Sequence, residues 1–427
     1  MKKTFHLISL GCDKNLSDSE KILKMAVDAG YEISDEPSRA DVILINTCAF
    51  ILDAQDESVQ TILEMADAKK EGAELIVAGC LAERYRDDIR KEIPEVTRVV
   101  SNAELQDKLF KEHVTDRIVT TGGHYAYLKI AEGCDKMCTY CIIPFLRGHY
   151  RSVPMEDLVT EAEKLAAGGV KELILVAQET TLYGRDLYGK KSLPELLRRL
   201  SRIDGIEWIR ILYMYPEEID GELLQEINAN GKVCHYFDIP IQHASDGILK
   251  RMGRRTDRKE LECIITKIRD VMPDAILRTT LISGFPGETK KEHEELLDFV
   301  KKTDFDRLGV FCYSKEDGTP ASLFEDQVDE NEKQIRRDDL MSLQQKLAFR
   351  KAKKRVGKVF RVMVEGRLPD EEGNVYVGRT YMDAPDVDGF VYFDAGKREY
   401  MTGDMIEVKI TGANEYDLTG EAVERYV

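Results

Sequence analysis

Three cysteines within eight residues, Cys134-Asp-Lys-Met-Cys138-Thr-Tyr-Cys141, constrain this chain more than any other feature. Thiolates that close together can converge on one metal centre from a single loop. Three of them suit an iron–sulfur cluster that keeps one iron open. A zinc site and three buried structural thiols are the other readings. Zinc usually takes four ligands in Cys-x₂₋₄-Cys pairs, and no matching pair lies nearby. The loop follows an apolar strand at 127–130, and in β/α barrels the loop after a strand lies on the active-site rim. From about 125 to 326 the strand–helix alternation recurs, with strands expected at 173–176, 208–212, 236–239, 277–282 and 307–311. Helices at 155–167, 193–203 and 290–301 lie between them, so a full or partial β/α barrel is expected. Gly168-Gly169 reads as a helix stop and turn.

A second set of cysteines lies upstream. Strands at 5–10, 42–45 and 75–78 alternate with helices at 17–29 and 58–68, the pattern of a parallel α/β sheet. Each strand runs into a cysteine: Cys12, Cys48 and Cys80. The carboxyl ends of parallel strands share one edge, where ligands bind. Three unrelated core thiols are the bland alternative; three such placements in succession favour a shared metal site. Cys234, Cys263 and Cys312 lack this context and read as buried thiols.

Residues 115–124 read as a linker, 330–356 as a long charged helix, and runs at 359–364, 375–380, 389–393 and 405–410 as strands of a small β-barrel. The expected organisation is a parallel α/β domain over 1–118, a β/α (partial) barrel over 124–328, a helical connector over 329–357 and a β-barrel over 358–427.

Charge narrows the function. The 427 residues carry 62 basic and 79 acidic side chains, net −17, which disfavours nucleic acid as a partner over the whole surface. Residues 358–427 hold eight basic and fifteen acidic residues, net −7. Such a barrel should repel a phosphate backbone and attract a strongly basic protein. No apolar run reaches the roughly 18 residues of a membrane span, and the first apolar run ends too early for a secretory signal. A cytoplasmic protein is expected, in which nine cysteines serve as buried thiols or metal ligands.

The Cys-x₃-Cys-x₂-Cys loop after a first strand, with Tyr140 before the third cysteine, resembles the signature of the radical S-adenosylmethionine (SAM) superfamily. The resemblance implies that Cys134, Cys138 and Cys141 hold a [4Fe-4S] cluster whose open iron binds SAM and cleaves it to a 5′-deoxyadenosyl radical. The whole architecture resembles the methylthiotransferases, with their three-cysteine N-terminal domain, radical SAM core and C-terminal TRAM-type barrel. That likeness implies a second, auxiliary [4Fe-4S] cluster on Cys12, Cys48 and Cys80, and a transferase that inserts sulfur and a methyl group into an unactivated C–H bond. It also implies cofactor contacts from Tyr140, Gln178, Glu179, Ile282 and Gly284. An electron donor and a sulfur donor are needed from elsewhere.

One branch of the family modifies tRNA adenosine; the other modifies the β-carbon of an aspartate in ribosomal protein S-twelve. Ser9-Leu-Gly-Cys-Asp-Lys-Asn-Leu16, Pro240-Ile-Gln-His-Ala-Ser245, the run from Leu277 to Glu288 and Gly309-Val-Phe-Cys-Tyr-Ser-Lys-Glu-Asp-Gly-Thr-Pro320 are similar to the second branch. Its opening motif typically has proline where Asp13 stands. The tRNA branch remains the alternative. Outside these motifs, His243 reads as a structural hydrogen-bonder and His293 as a residue on a solvated helix face. Arg147 and Arg151 read either as carboxylate or cluster partners or as surface ion pairs.

Overall fold

The computed structural model describes residues 2–369 and 373–423. The chain opens with a five-stranded parallel sheet of β1 (Thr4–Ser9), β2 (Glu32–Ile33), β3 (Val42–Thr47), β4 (Glu74–Gly79) and β5 (Arg98–Ser101), in the order β2-β1-β3-β4-β5. Ile43, Ile45, Leu75 and Val77 are wholly buried, as a sheet covered on both faces requires. The first helix runs over Asp13–Asp28 and so begins four residues before the sequence pattern suggests, directly at Cys12. Residues 115–124 form neither helix nor strand.

The central region places six parallel strands side by side. β6 (Tyr125–Lys129), β9 (Glu172–Val176) and β10 (Trp208–Ile211) form one sheet, and β11 (Tyr236–Asp238), β12 (Ile276–Ser283) and β13 (Arg307–Cys312) form another; the short β7 (Ala131–Glu132) and β8 (Arg151–Ser152) pair beside them. An isolated bridge between Ile209 and Val233 joins the two sheets, giving a partial barrel. The helix Met155–Ala167 stops at Gly168, and Gly169 takes φ +101°. The connector helix spans Glu330–Lys353. The chain ends in a closed antiparallel-rich barrel of β14 (Val359–Arg367), β15 (Val375–Thr380), β16 (Val391–Asp394), β17 (Met405–Ala413) and β18 (Leu418–Ala422).

This last barrel is built into the central one. Arg379 is fully buried and lies 2.9 Å from Glu172 at the start of β9. Arg210 pairs with the same carboxylate at 2.7 Å and donates to the Tyr381 carbonyl. Around the bottom of the central barrel, Tyr125 donates to Asp386, Tyr236 to Asp388 and Arg307 to Asp383, while His124 contacts Glu365 at 2.7 Å. Four of the fifteen acids counted over 358–427 are thus turned inward onto core cations and phenols. Asp370, Glu371, Glu372, Glu424 and Arg425 of the same count lie outside the described residues.

Two sequence expectations are corrected here. Cys263 is exposed and Cys312 half-buried; only Cys234 of that group is buried. The helix Arg258–Val271 buries Leu261, Ile265 and Ile268, and Cys263 falls on its other face. His293 is buried instead of solvated, because it shares a helix face with Leu296 and Val300, packed toward the connector helix, where it approaches Asp339 at 3.4 Å.

Candidate metal centres at the barrel rim

The three upstream cysteines follow β1, β3 and β4, whose carboxyl ends share one edge. Cys12 is the N-cap of the helix Asp13–Asp28. Gly11, at φ +85°, makes room for Cys48: a β-carbon there would stand 2.8 Å from the Cys48 sulfur. Gly79, at φ +90°, lets β4 turn into the short helix that begins at Cys80, and a β-carbon would collide with the Thr47 carbonyl at 2.6 Å. Ser58 clamps the third loop, accepting from the Cys48 N–H at 3.1 Å and donating to its carbonyl at 2.8 Å. Burial pushes the Cys80 thiol up to about 11, and charge on Cys48 and Cys12 pushes the same way, so the three side chains feel one another.

The other three cysteines sit on the loop after β6 and β7. The Cys134 N–H donates to Gly148, the Thr139 N–H to Met252 and the Cys141 N–H to the Cys138 carbonyl, at 2.9 to 3.2 Å. Burial raises the Cys134 thiol to about 11 and the Cys141 thiol to about 12, with neighbouring cysteine charge adding to both. Among the described residues no three His, Cys, Asp or Glu side chains close to single-ion distance. A cube of four irons takes one thiolate per corner, so its ligands stand wider apart than those of one zinc ion. Two sets of three thiols have the donor chemistry that iron–sulfur clusters take.

Around the second loop, Tyr140 packs edge-on to Phe285 at 6.5 Å beside Ile282. Glu179 is wholly buried, and burial raises its carboxyl to about 7 even though Lys136 lies 3.6 Å away. Gln178 donates to Glu132 at 3.2 Å. Gln178 Oε1, Glu179 Oε2, Arg254 Nε and Nη1 and Thr256 Oγ1 are buried without hydrogen-bond partners. These acceptors and donors suit a ligand that carries both an amino and a carboxylate group. Of these residues Glu179 lines a cavity of about 460 Å³, together with Cys134, Lys136, Tyr150, Arg185 and Glu218 among others. Gly284 takes φ +69° and donates to Glu288 at 2.6 Å; its α-carbon is faced by the Lys333 stem and not by open space.

Sequence reasoning singled out Arg147 as a carboxylate or cluster partner but missed Asp18, Lys129 and Glu132. Asp18, Lys129, Glu132 and Arg147 are all buried. Lys129 bridges Asp18 and Glu132, and Arg147 pairs with Glu132 at 3.1 Å and lies 3.7 Å from Asp18. Burial alone would raise the Glu132 carboxyl, but Arg147 and Lys129 hold it down at about 2. Arg151, by contrast, makes a half-exposed pair with Asp107. A further bridge joins the domains where Glu316 meets Arg84 at 3.0 Å and Gln55 at 2.9 Å. His243 accepts from the Ser245 N–H at 3.0 Å.

Comparison with known proteins matches this arrangement piece by piece. Residues 4–101 match the family described as Uncharacterized protein family UPF0004, 128–300 the Radical SAM superfamily and 356–423 the TRAM domain. A ribosomal protein uS12 methylthiotransferase RimO of Lachnoclostridium phytofermentans is 56% identical, with 97% of this chain and 99% of that protein covered. Proteins of the same name from Acetivibrio thermocellus and Clostridioides difficile are 50% and 46% identical, covering 99% and 98% of both chains. In fold alone, the radical SAM methyltransferase TsrM of Kitasatospora setae is similar, with TM-score 0.56 at 13% identity over 88% of this chain and 82% of that one. A radical SAM core that carries a [4Fe-4S] cluster and SAM, flanked by these two domains and close to full-length relatives, leaves one conclusion: the chain belongs to the RimO family of radical SAM methylthiotransferases.

Proposed function

We propose that the chain methylthiolates the β-carbon of an aspartate in ribosomal protein uS12. In this reading Cys134, Cys138 and Cys141 hold the SAM-cleaving cluster, and Cys12, Cys48 and Cys80 hold a second [4Fe-4S] cluster that serves sulfur insertion. The observation that carries it is the buried ion network that ties the domain of Cys12, Cys48 and Cys80 to the residues flanking the Cys134 loop. When bound, the clusters and SAM supply one-electron cleavage of a sulfonium, hydrogen abstraction from carbon and the transferred methyl group.

The chain's own residues bind and orient. Tyr140, backed by Phe285 and Ile282, stiffens the cluster loop. Gln178 and Glu179, each with an oxygen that accepts no hydrogen bond, and Arg254, with Nε and Nη1 that donate none, would hold the polar end of the cofactor. Glu179, with its carboxyl near 7, is suited to hold or release a proton beside Lys136. Ile282 and Gly284 shape the end of β12, where they would seat the adenosine of the cofactor; Gly284 does so by letting the backbone turn. Electron and sulfur donors come from outside the chain, and a ribosomal substrate places the work in the cytoplasm. Among the described residues no helix is long and apolar enough to cross a membrane.

The test is anaerobic reconstitution with SAM, a reductant, and either uS12 or tRNA, followed by mass spectrometry. A methylthio group on a uS12 aspartate is the expected product. Methylthiolated tRNA adenosine with unmodified uS12 would overturn the reading.

A further inference from the structure

Arg147 lies six residues after Cys141, on the short helix Ile143–Arg147 of the central region. Yet this helix packs in the N-terminal domain. Ile142 and Leu146 belong to the apolar cluster that contains Cys80, Ile43 and Val77. Asn102, from the N-terminal domain, donates to the Leu146 carbonyl at 3.3 Å. The Arg147 side chain is 2% exposed and donates to Asn15 Oδ1. Asn15 in turn donates to the Leu10 carbonyl at 2.8 Å and the Thr47 carbonyl at 3.0 Å. Those carbonyls lie just before Cys12 and Cys48. Glu132 and Asp18 hold the guanidinium from the other side. The helix that carries Arg147 packs against the short helix Cys80–Arg84, which begins at Cys80.

We propose that Arg147 is a positioning residue of the auxiliary centre: a fixed positive charge, supplied by the SAM-cleaving domain, that completes the site of Cys12, Cys48 and Cys80 and raises its reduction potential. This rests on the assignment of a second cluster to those three cysteines. Cys48 and Cys80 are buried while Cys12 is exposed; three thiolates and a cluster would gather negative charge there, and each added electron would increase it. A buried cation is strongly coupled to that charge at low dielectric. Arginine suits the post because its charge is permanent and its fork reaches Glu132 and Asn15 together.

The test uses the full chain, reconstituted anaerobically with iron and sulfide. Potentiometric titration is followed by electron paramagnetic resonance, with SAM added to mark the signal of the Cys134 loop. Iron analysis of the wild type comes first: about eight irons per chain support the two-cluster assignment, and about four would overturn that assignment before Arg147 is tested. With eight present, Arg147→Gln should make reduction of the unmarked cluster at least tenfold less favourable, 59 mV for one electron. The SAM-marked cluster should move much less, and Arg147→Lys should restore most of the shift. If Arg147→Gln sheds the auxiliary iron while Arg147→Lys keeps it, the charge is again what the site needs. An unchanged potential in Arg147→Gln, equal shifts in both variants, or iron loss in both would overturn the proposal.

Discussion

The central barrel carries a buried ion network at each end, and the two do different work. At the bottom, Glu172, Arg210, Arg379, Glu365 and His124 pair with one another and with no thiol of either cysteine set, locking the C-terminal barrel in place. At the rim, Asp18, Lys129, Glu132 and Arg147 join two domains in the same way, but here one cation, Arg147, also interacts with Cys80 and Cys12 of the upstream cysteine set. The contrast teaches that ion pairs at a domain boundary have two uses. One fixes a boundary, and the other sets charge around a reactive centre.

The largest expected effect lies at the rim. Replacing Cys134, Cys138 and Cys141 with alanine should abolish SAM cleavage and leave about four irons per chain, read by iron analysis and chromatography of 5′-deoxyadenosine. Loss of all iron would show that the two sites are not separable. Next comes the bottom. Arg379→Met leaves Glu172 with Arg210 alone and Glu365 with His124 alone, and breaking a buried pair costs about 3–5 kcal/mol, visible as a lower midpoint in denaturant. Deleting residues 358–427 should for the same reason destabilise the core, since Arg210, Arg278 and Arg307 all lose partners. A deletion variant as stable as the full chain would refute the lock.

Acid titration should give a smaller effect with a definite sign. Glu132 is held at about 2, against about 4.3 for an ordinary glutamate, so its stabilisation is present above about 4.3 and is lost as pH falls toward 2. Glu179, raised by burial to about 7, runs the other way, and its contribution fades as pH rises from about 4.3 through 7. Unfolding curves of Glu132→Gln and Glu179→Gln against pH separate the two slopes; parallel curves would contradict the assignment. The smallest effect concerns the outer acids. Reversing Glu415 and Glu421, which take no part in the inward network, should weaken uS12 binding a few-fold at low salt and little at high salt, while the stability lost with Arg379 stays intact.

Much of this was legible in the sequence. Strand and helix periodicity located most elements, and the spacing of Cys134, Cys138 and Cys141 marked the rim loop. The Gly-Cys pairs at Gly11-Cys12, Gly79-Cys80 and Gly133-Cys134 are a further signal of tight turns into each site. Other features were hidden for physical reasons. The helix at Asp13 starts at a cysteine, outside the usual Ser, Thr, Asp and Asn caps, so its first turn went unread. β2 has two residues, too few to show a pattern, and β18 holds Gly420 and Glu421 in place of an apolar run. Lys129 and Glu132 sit among apolar neighbours, where partners from distant segments make their burial tolerable; one-dimensional periodicity cannot show such partners. The net −7 of the last barrel overstated its outer field, because Glu365, Asp383, Asp386 and Asp388 face inward.

The division of labour between the two cysteine sets is tested most directly by Cys48→Ala, assayed anaerobically with SAM, a reductant and uS12. Both 5′-deoxyadenosine and methylthiolated peptide are measured in the same reaction. The account predicts that 5′-deoxyadenosine still forms while the methylthio product disappears, with the Cys134 cluster retained. Product at the wild-type level, or loss of both activities in a folded protein whose Cys134 cluster is intact, would contradict it.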